Sequence, residues 1–142
     1  MKNKKLFFVL IGIFAVCFIG ASVFIVLQGI SASNKKQEYF DIYRARAEEY
    51  IRSDSEIVNR YGDNISLKFD GTVEYKASAE RGFLDIYIEV FAPRVPATLE
   101  EFTDETAMIK FKLEINGDAY EIVFEKNSVG ELSVSDLTKI NQ

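Results

Sequence analysis

The chain has 142 residues, 48% of them apolar and 27% charged, with no His, no Trp, one Cys and a formal net charge of −5, a size suited to one folded domain. Without His there is no imidazole base and no His-ligated metal, and a lone Cys makes neither an intrachain disulfide nor the Cys pairs of a zinc site. Most catalytic triads and common metal centres are thereby excluded.

The first element runs from Leu6 to Ile30, LFFVLIGIFAVCFIGASVFIVLQGI, 25 residues without a formal charge. As a helix it reaches roughly 37 Å, enough to cross a hydrocarbon core of about 30 Å with some tilt. Lys2, Lys4 and Lys5 precede it, whereas Lys35 and Lys36 on the far side are diluted by Glu38 and Asp41. The positive-inside rule then places residues 1–5 in the cytoplasm as a short tail, residues 6–30 in membrane lipid as a single-pass anchor, and residues 31–142 outside the cell membrane. Ser31, Ala32 and Ser33 could form a cleavage site, which would make the chain a secreted protein. The apolar run is longer than the roughly 7 to 15 residues of a secretory signal, so the expectation is an uncleaved signal-anchor. Cys17 reads as an apolar side chain of that helix, because Phe14, Ala15 and Val16 before it do not make a lipobox.

Residues 31–142 hold 14 Lys and Arg against all 22 acidic residues. A domain this acidic repels phosphate backbones, so nucleic acid is not an expected partner. In residues 35–53, Phe40, Tyr43, Ala47, Tyr50 and Ile51 recur at spacings of three and four and predict an amphipathic helix, with Arg44, Arg46, Glu48, Glu49 and Arg52 mostly on its other side. Ser53-Asp54-Ser55-Glu56 has the capping-box order, predicting that Ser53 caps a second short helix that buries Ile57, Val58 and Tyr61 and stops at Gly62.

After Gly62 the period changes to two. Ile65, Leu67 and Phe69 alternate, Asp70-Gly71 supplies turn residues, and Val73, Tyr75 and Ala77 follow, which predicts a hairpin. A third strand is expected over residues 83–91, with Leu84, Ile86, Ile88 and Val90 alternating against Asp85, Tyr87 and Glu89 until Pro93 ends it. TLEEFTDE, residues 98–105, reads as an acidic helical turn or loop. Ile109, Phe111, Leu113 and Ile115, then Asn116-Gly117, then Tyr120, Ile122 and Phe124, form the clearest hairpin signal in the chain. Leu132 and Val134 make a short last strand before a polar tail. The predicted fold class is α+β: a transmembrane helix, then a helix at about 35–62 packed on an antiparallel sheet of five to six strands at about 64–135.

Few residues suggest chemistry. Glu100, Glu101, Asp104 and Glu105 crowd six positions and could attract Ca²⁺, but the Asp-x-Asp-x-Asp-Gly spacing is absent and a solvated acidic loop is the plainer reading. No Ser or Thr has the setting of a nucleophile, and no pair of carboxylates stands out for glycoside chemistry. Neither a catalytic residue, a cofactor nor a metal site is therefore expected. The aromatic face of the expected third strand, Phe83, Tyr87 and Phe91, is the candidate partner surface, facing another membrane or exported protein or, as the alternative, closing a pocket for a small or lipidic ligand.

AEEYIRSDSEIVNRYG at residues 47–62, IEVFAPR at residues 88–94 and LSV at residues 132–134 together resemble the cytochrome oxidase complex assembly protein 1 family and its bacterial relatives. In that family one membrane helix precedes a small exported α+β domain, a strand finishes in a Gly-Pro-Lys-Gly-like turn and a late strand opens with Trp. This sequence has Ala92-Pro93-Arg94 and Glu131 at those places. The resemblance implies a membrane-anchored accessory factor that helps assemble a membrane complex by contact, with no catalytic residues.

Overall fold

The computed structural model describes residues 2–80 and 82–140, apart from the side chains of Lys2 and Tyr87. Its elements in order are α1 (Lys2–Ser53), α2 (Ser55–Tyr61), β1 (Leu67–Ala77), α3 (Phe83–Phe91), α4 (Leu99–Glu105), β2 (Thr106–Ile115), β3 (Asp118–Lys126) and β4 (Leu132–Lys139). The fold is α+β with one antiparallel sheet, in the order β1-β2-β3-β4. Among the described residues the sheet has four strands, not five or six. The chain divides into two compact units, Met1–Lys35 with Arg81–Arg94, and Lys36–Glu80 with Val95–Gln142.

In the sheet unit, the last third of α1 lays Tyr39, Tyr43, Ala47 and Ile51 on the apolar face of the sheet, all four buried. A strict four-residue spacing drifts by about 40° per turn, so the buried stripe winds around the helix as it crosses the strands. Tyr50 lies on the angle where the stripe began, not where it ends, and is exposed at 39%. The expected burial of Tyr50 is thus corrected, and Tyr39 takes the place in the core that spacing alone did not assign. Arg44 is also not a plain solvent residue: its guanidinium carbon lies 5.6 Å and 5.7 Å from the ring centres of Phe69 and Phe111.

The break between α1 and α2 is made by Asp54. Its carboxylate accepts from the backbone N–H groups of Glu56 and Ile57, both at 3.0 Å, while the Ser53 hydroxyl turns back to the carbonyls of Glu49 and Tyr50. The cap is therefore one residue later than expected, because Ser53 is still helical and its hydroxyl is taken by the turn beneath it. Gly62 ends α2 at φ +72°, as its freedom of backbone conformation predicts.

The Asp70-Gly71 turn does not reverse the chain. β1 runs straight through it and pairs with β2 on both sides, Phe69 with Leu113 and Val73 with Phe111. Four steps along β1 match two along β2, so two extra residues are accommodated in a bulge, with Gly71 at φ +85° and the Thr72 N–H held by Asp70 at 2.7 Å. An even insertion leaves the alternation intact, and Leu67, Phe69, Val73 and Tyr75 all contact the same core. Pairing against β2 along the whole strand outweighs a local turn preference.

The Asn116-Gly117 hairpin is as expected, with both residues at positive φ, +49° and +88°. Ile109, Phe111, Leu113, Ile115, Tyr120, Ile122 and Phe124 are all buried. β4 is longer than LSV because Ser135 is an extra residue in its pairing with β3, which brings Leu137 to the same face as Val134. The other face of the sheet is charged. Lys110 sits 2.9 Å from Glu74 and 3.3 Å from Glu121, and Lys68 lies 4.0 Å from Glu114.

Phe102 is the main surprise of the core. The acidic segment is helix α4, capped by the Thr98 hydroxyl on the Glu101 N–H at 3.1 Å, with the Glu101 carboxylate accepting from the Ala97 N–H at 2.7 Å. This cap aims Phe102 inward, where it is fully buried, stacked on Tyr39 at 4.9 Å and on Tyr75 at 5.9 Å.

Candidate functional site

The long apolar part of α1 is the first feature that needs an environment. Its most apolar 18-residue window has no buried residue, and the helix is long and apolar enough to cross a membrane. Leu6 and Ile30, the two ends of the expected anchor, are 62% and 53% exposed. Cys17 is a free, exposed thiol within this stretch.

The second feature is α3, where a strand was expected. The alternation of residues 83–91 has a second solution: Asp85 and Glu89 are four apart, so a helix puts both on one side, and all seven other residues are apolar. Helix wins because it also supplies local partners. The Gly82 carbonyl accepts from the Asp85 and Ile86 N–H groups, the Asp85 carboxylate accepts from the Gly82 N–H at 3.2 Å, and the Ala92 N–H reaches the Ile88 carbonyl before Pro93 ends the run. At about 100° per residue, positions 83, 87 and 91 form the centre of an apolar arc of about 200°, Leu84 and Ile88 flank it on one side and Ile86 and Val90 on the other. Asp85 and Glu89 stand opposite.

The expected partner surface is therefore brought together, but on a helix. Phe83 and Leu84 are 82% and 72% exposed, and Ile86, Ile88, Val90 and Phe91 are exposed as well. The side chain of Tyr87 lies outside the described residues. What the sequence reading missed is that Leu84, Ile86, Ile88 and Val90, expected on the opposite face of a strand from the aromatics, belong to the same exposed surface as Phe83 and Phe91. The signal that could have found this was the four-residue spacing of the two acids.

A third group is polar. The Tyr61 hydroxyl donates to the Asp118 carboxylate and lies 3.0 Å from the Tyr120 hydroxyl, which also accepts from Arg60 at 3.0 Å. Lys139 pairs with Asp118 at 2.7 Å. The Lys139 ammonium, and then the Tyr61 hydroxyl, hold the Asp118 carboxyl below its ordinary value. Burial, and then the bond to Asp118, push the Tyr61 hydroxyl above its own. Every one of these groups is satisfied by a neighbour, and together they tie α2 to β3 and β4, which is a fastening and not a reactive centre.

In the acidic cluster the Glu101 carboxylate caps α4, and at Asp104 it is the backbone carbonyl that accepts from Ser78 and Lys126. Among the described residues no group of three or more possible metal ligands converges. No family model, curated protein or solved structure matches the chain.

Proposed function

We propose that the protein is a single-pass, membrane-anchored interaction module without catalytic activity, held with residues 1–5 in the cytoplasm and its α+β domain outside. The observation that carries this reading is that one helix, α1, devotes its first half to an exposed apolar surface and its last third to the core of the sheet unit. Such a chain gains little from leaving the membrane. Confinement to two dimensions raises the effective concentration of the domain near other membrane components, which makes weak contacts useful.

α3 is the surface that brings the domain to those membrane components in this reading, because it gathers most of the exposed large apolar residues of the domain on one short element. The alternative of a ligand held by a curved sheet has less support, since α1, α2 and α4 fill the apolar face of the sheet and charge pairs cover the other. An accessory role in assembling a membrane complex is the narrower form of the proposal and rests on the family resemblance alone. One part of that resemblance is not carried by the fold: the segment IEVF before Ala92-Pro93-Arg94 closes a helix here, where the family has a strand.

Alkaline carbonate extraction of whole membranes and N-terminal sequencing test the anchor, and crosslinking in intact membranes tests the contact. The expected result is a chain that stays with the lipid, starts before Leu6, and loses its crosslinks in a Phe83/Tyr87/Phe91 triple alanine variant. A mature chain starting at Ser33 or Asn34 and recovered from the medium would overturn the proposal.

A further inference from the structure

We infer that α3 is a second membrane contact, a non-spanning helix seated in the boundary between lipid headgroups and acyl chains, with Leu84, Ile86, Ile88 and Val90 in the apolar layer and Asp85 and Glu89 turned to water. The inference rests on residues 6–30 being in the membrane, as proposed above. Nine residues make a helix about 13 Å long, far short of the roughly 30 Å needed to cross, whereas an interfacial helix needs to sink only about 5 to 10 Å.

Three observations favour lipid over a protein groove. The first is the breadth of the apolar arc, which leaves only the line of Asp85 and Glu89 outside it, with Phe83, Leu84, Ile86, Ile88, Val90 and Phe91 all exposed; soluble surfaces rarely carry so large a contiguous apolar patch. The second is chemical. Apart from position 87, the arc contains no hydrogen-bonding side chain, whereas protein interfaces carry about one hydrogen bond per 100–200 Å² to fix register. Lipid asks only for apolarity.

The third is where α3 is tethered. On the sheet side, the strand leading to it ends just after Tyr75, whose ring lies 4.1 Å under the Lys36 ammonium and 5.9 Å from the Phe40 ring. On the return, the Pro96 carbonyl accepts a hydrogen bond from the Tyr39 hydroxyl at 2.9 Å. Both ends of the insertion are thus fastened to the turns of α1 that follow Ile30, about 9 Å along the helix at Lys36 and about 13 Å at Tyr39. Residues 78–82 and 92–95, extended, reach up to about 17 Å and 14 Å. The tethers are long enough to return α3 to the level at which α1 leaves the lipid.

The test uses the full chain in vesicles of phosphatidylcholine, with and without phosphatidylglycerol, carrying one nitroxide label at a time. The native Cys17 reports the anchor; Leu84→Cys, Ile88→Cys, Asp85→Cys and Val129→Cys, each with Cys17→Ser, report α3 and an exposed loop tip of the sheet unit. Labels at 84 and 88 are expected to meet dissolved oxygen readily and a water-soluble nickel chelate about tenfold less often than the label at 129, with the label at 85 close to that at 129. Labels at 84 and 88 as open to nickel as the one at 129, with Cys17 shielded, would overturn the inference and leave the anchor standing. A Cys17 label open to nickel would overturn the anchor itself. Shielding of 84 and 88 from both oxygen and nickel would overturn the inference for α3, in favour of a docked protein surface or a second copy of the chain.

Discussion

Phe102 carries more of the domain than its neighbours in sequence suggest. It is the ring against which Tyr39, Phe40, Tyr43 and Tyr75 all pack, so its removal leaves a cavity shared by α1, β1 and α4. Phe102→Ala should lower stability by about 3 to 5 kcal/mol, read from urea midpoints of the protein in mild detergent, whereas Tyr50→Ala should move the midpoint little. Equal effects would mean that the buried stripe of α1 has been placed on the wrong angle. Phe102 was hard to see in the sequence because four acids surround it and a single apolar residue has no period. The clue that did exist was the Thr98-x-x-Glu101 cap, which starts a helix and so decides which way position 102 faces.

Asp118 gives the residue scale its pH dependence. A carboxyl held below its ordinary value in the folded chain contributes stability that is fully present above the ordinary value, about 3.9, and is lost as pH falls through the folded value. Asp118→Asn should therefore narrow the gap between midpoints measured at neutral pH and at about pH 3. An unchanged gap would show that the bonds from Lys139 and Tyr61 do not favour the ionised form. Nothing in the sequence placed Lys139 or Tyr61 beside Asp118, since the three come together only through the pairing of β3 with β4 and the docking of α2.

Among the elements, β1 offers an unusual test. Its bulge absorbs two residues, and two is the side-chain period of a strand. Deleting Gly71 and Thr72 together should leave Val73 and Tyr75 facing the core, while deleting Thr72 alone should turn both outward. The single deletion should thus cost more than the double one, by an amount large enough to abolish cooperative unfolding, since it exposes the outer half of the strand. The opposite order would show that the segment forms a hairpin after all. The alternating pattern on either side of Asp70-Gly71 was legible in the sequence; the choice between turning back and running on was not, because it depends on β2, more than thirty residues later. α3 failed for a related reason. A run that is apolar at seven of nine positions satisfies the period of a strand and of a helix at once, and only the partners of Gly82 and Asp85 break the tie. By contrast, the pair around Asn116-Gly117 was legible in full, since both its strands and its turn are specified within twenty residues.

At the scale of the molecule, the separation between α1 and the strands it covers sets the order in which the protein can be made. Tyr43 meets Phe124, and the stripe it belongs to rests on a sheet whose last strand opens at Leu132. At about 5 to 20 residues per second, some 80 residues of synthesis between Ile51 and Leu132 take roughly 4 to 16 seconds. Throughout that interval Tyr39, Tyr43 and Ile51 lack the strands that cover them in the finished fold. With residues 6–30 anchored as proposed, the apolar phase nearest to that bare face during synthesis is the membrane itself.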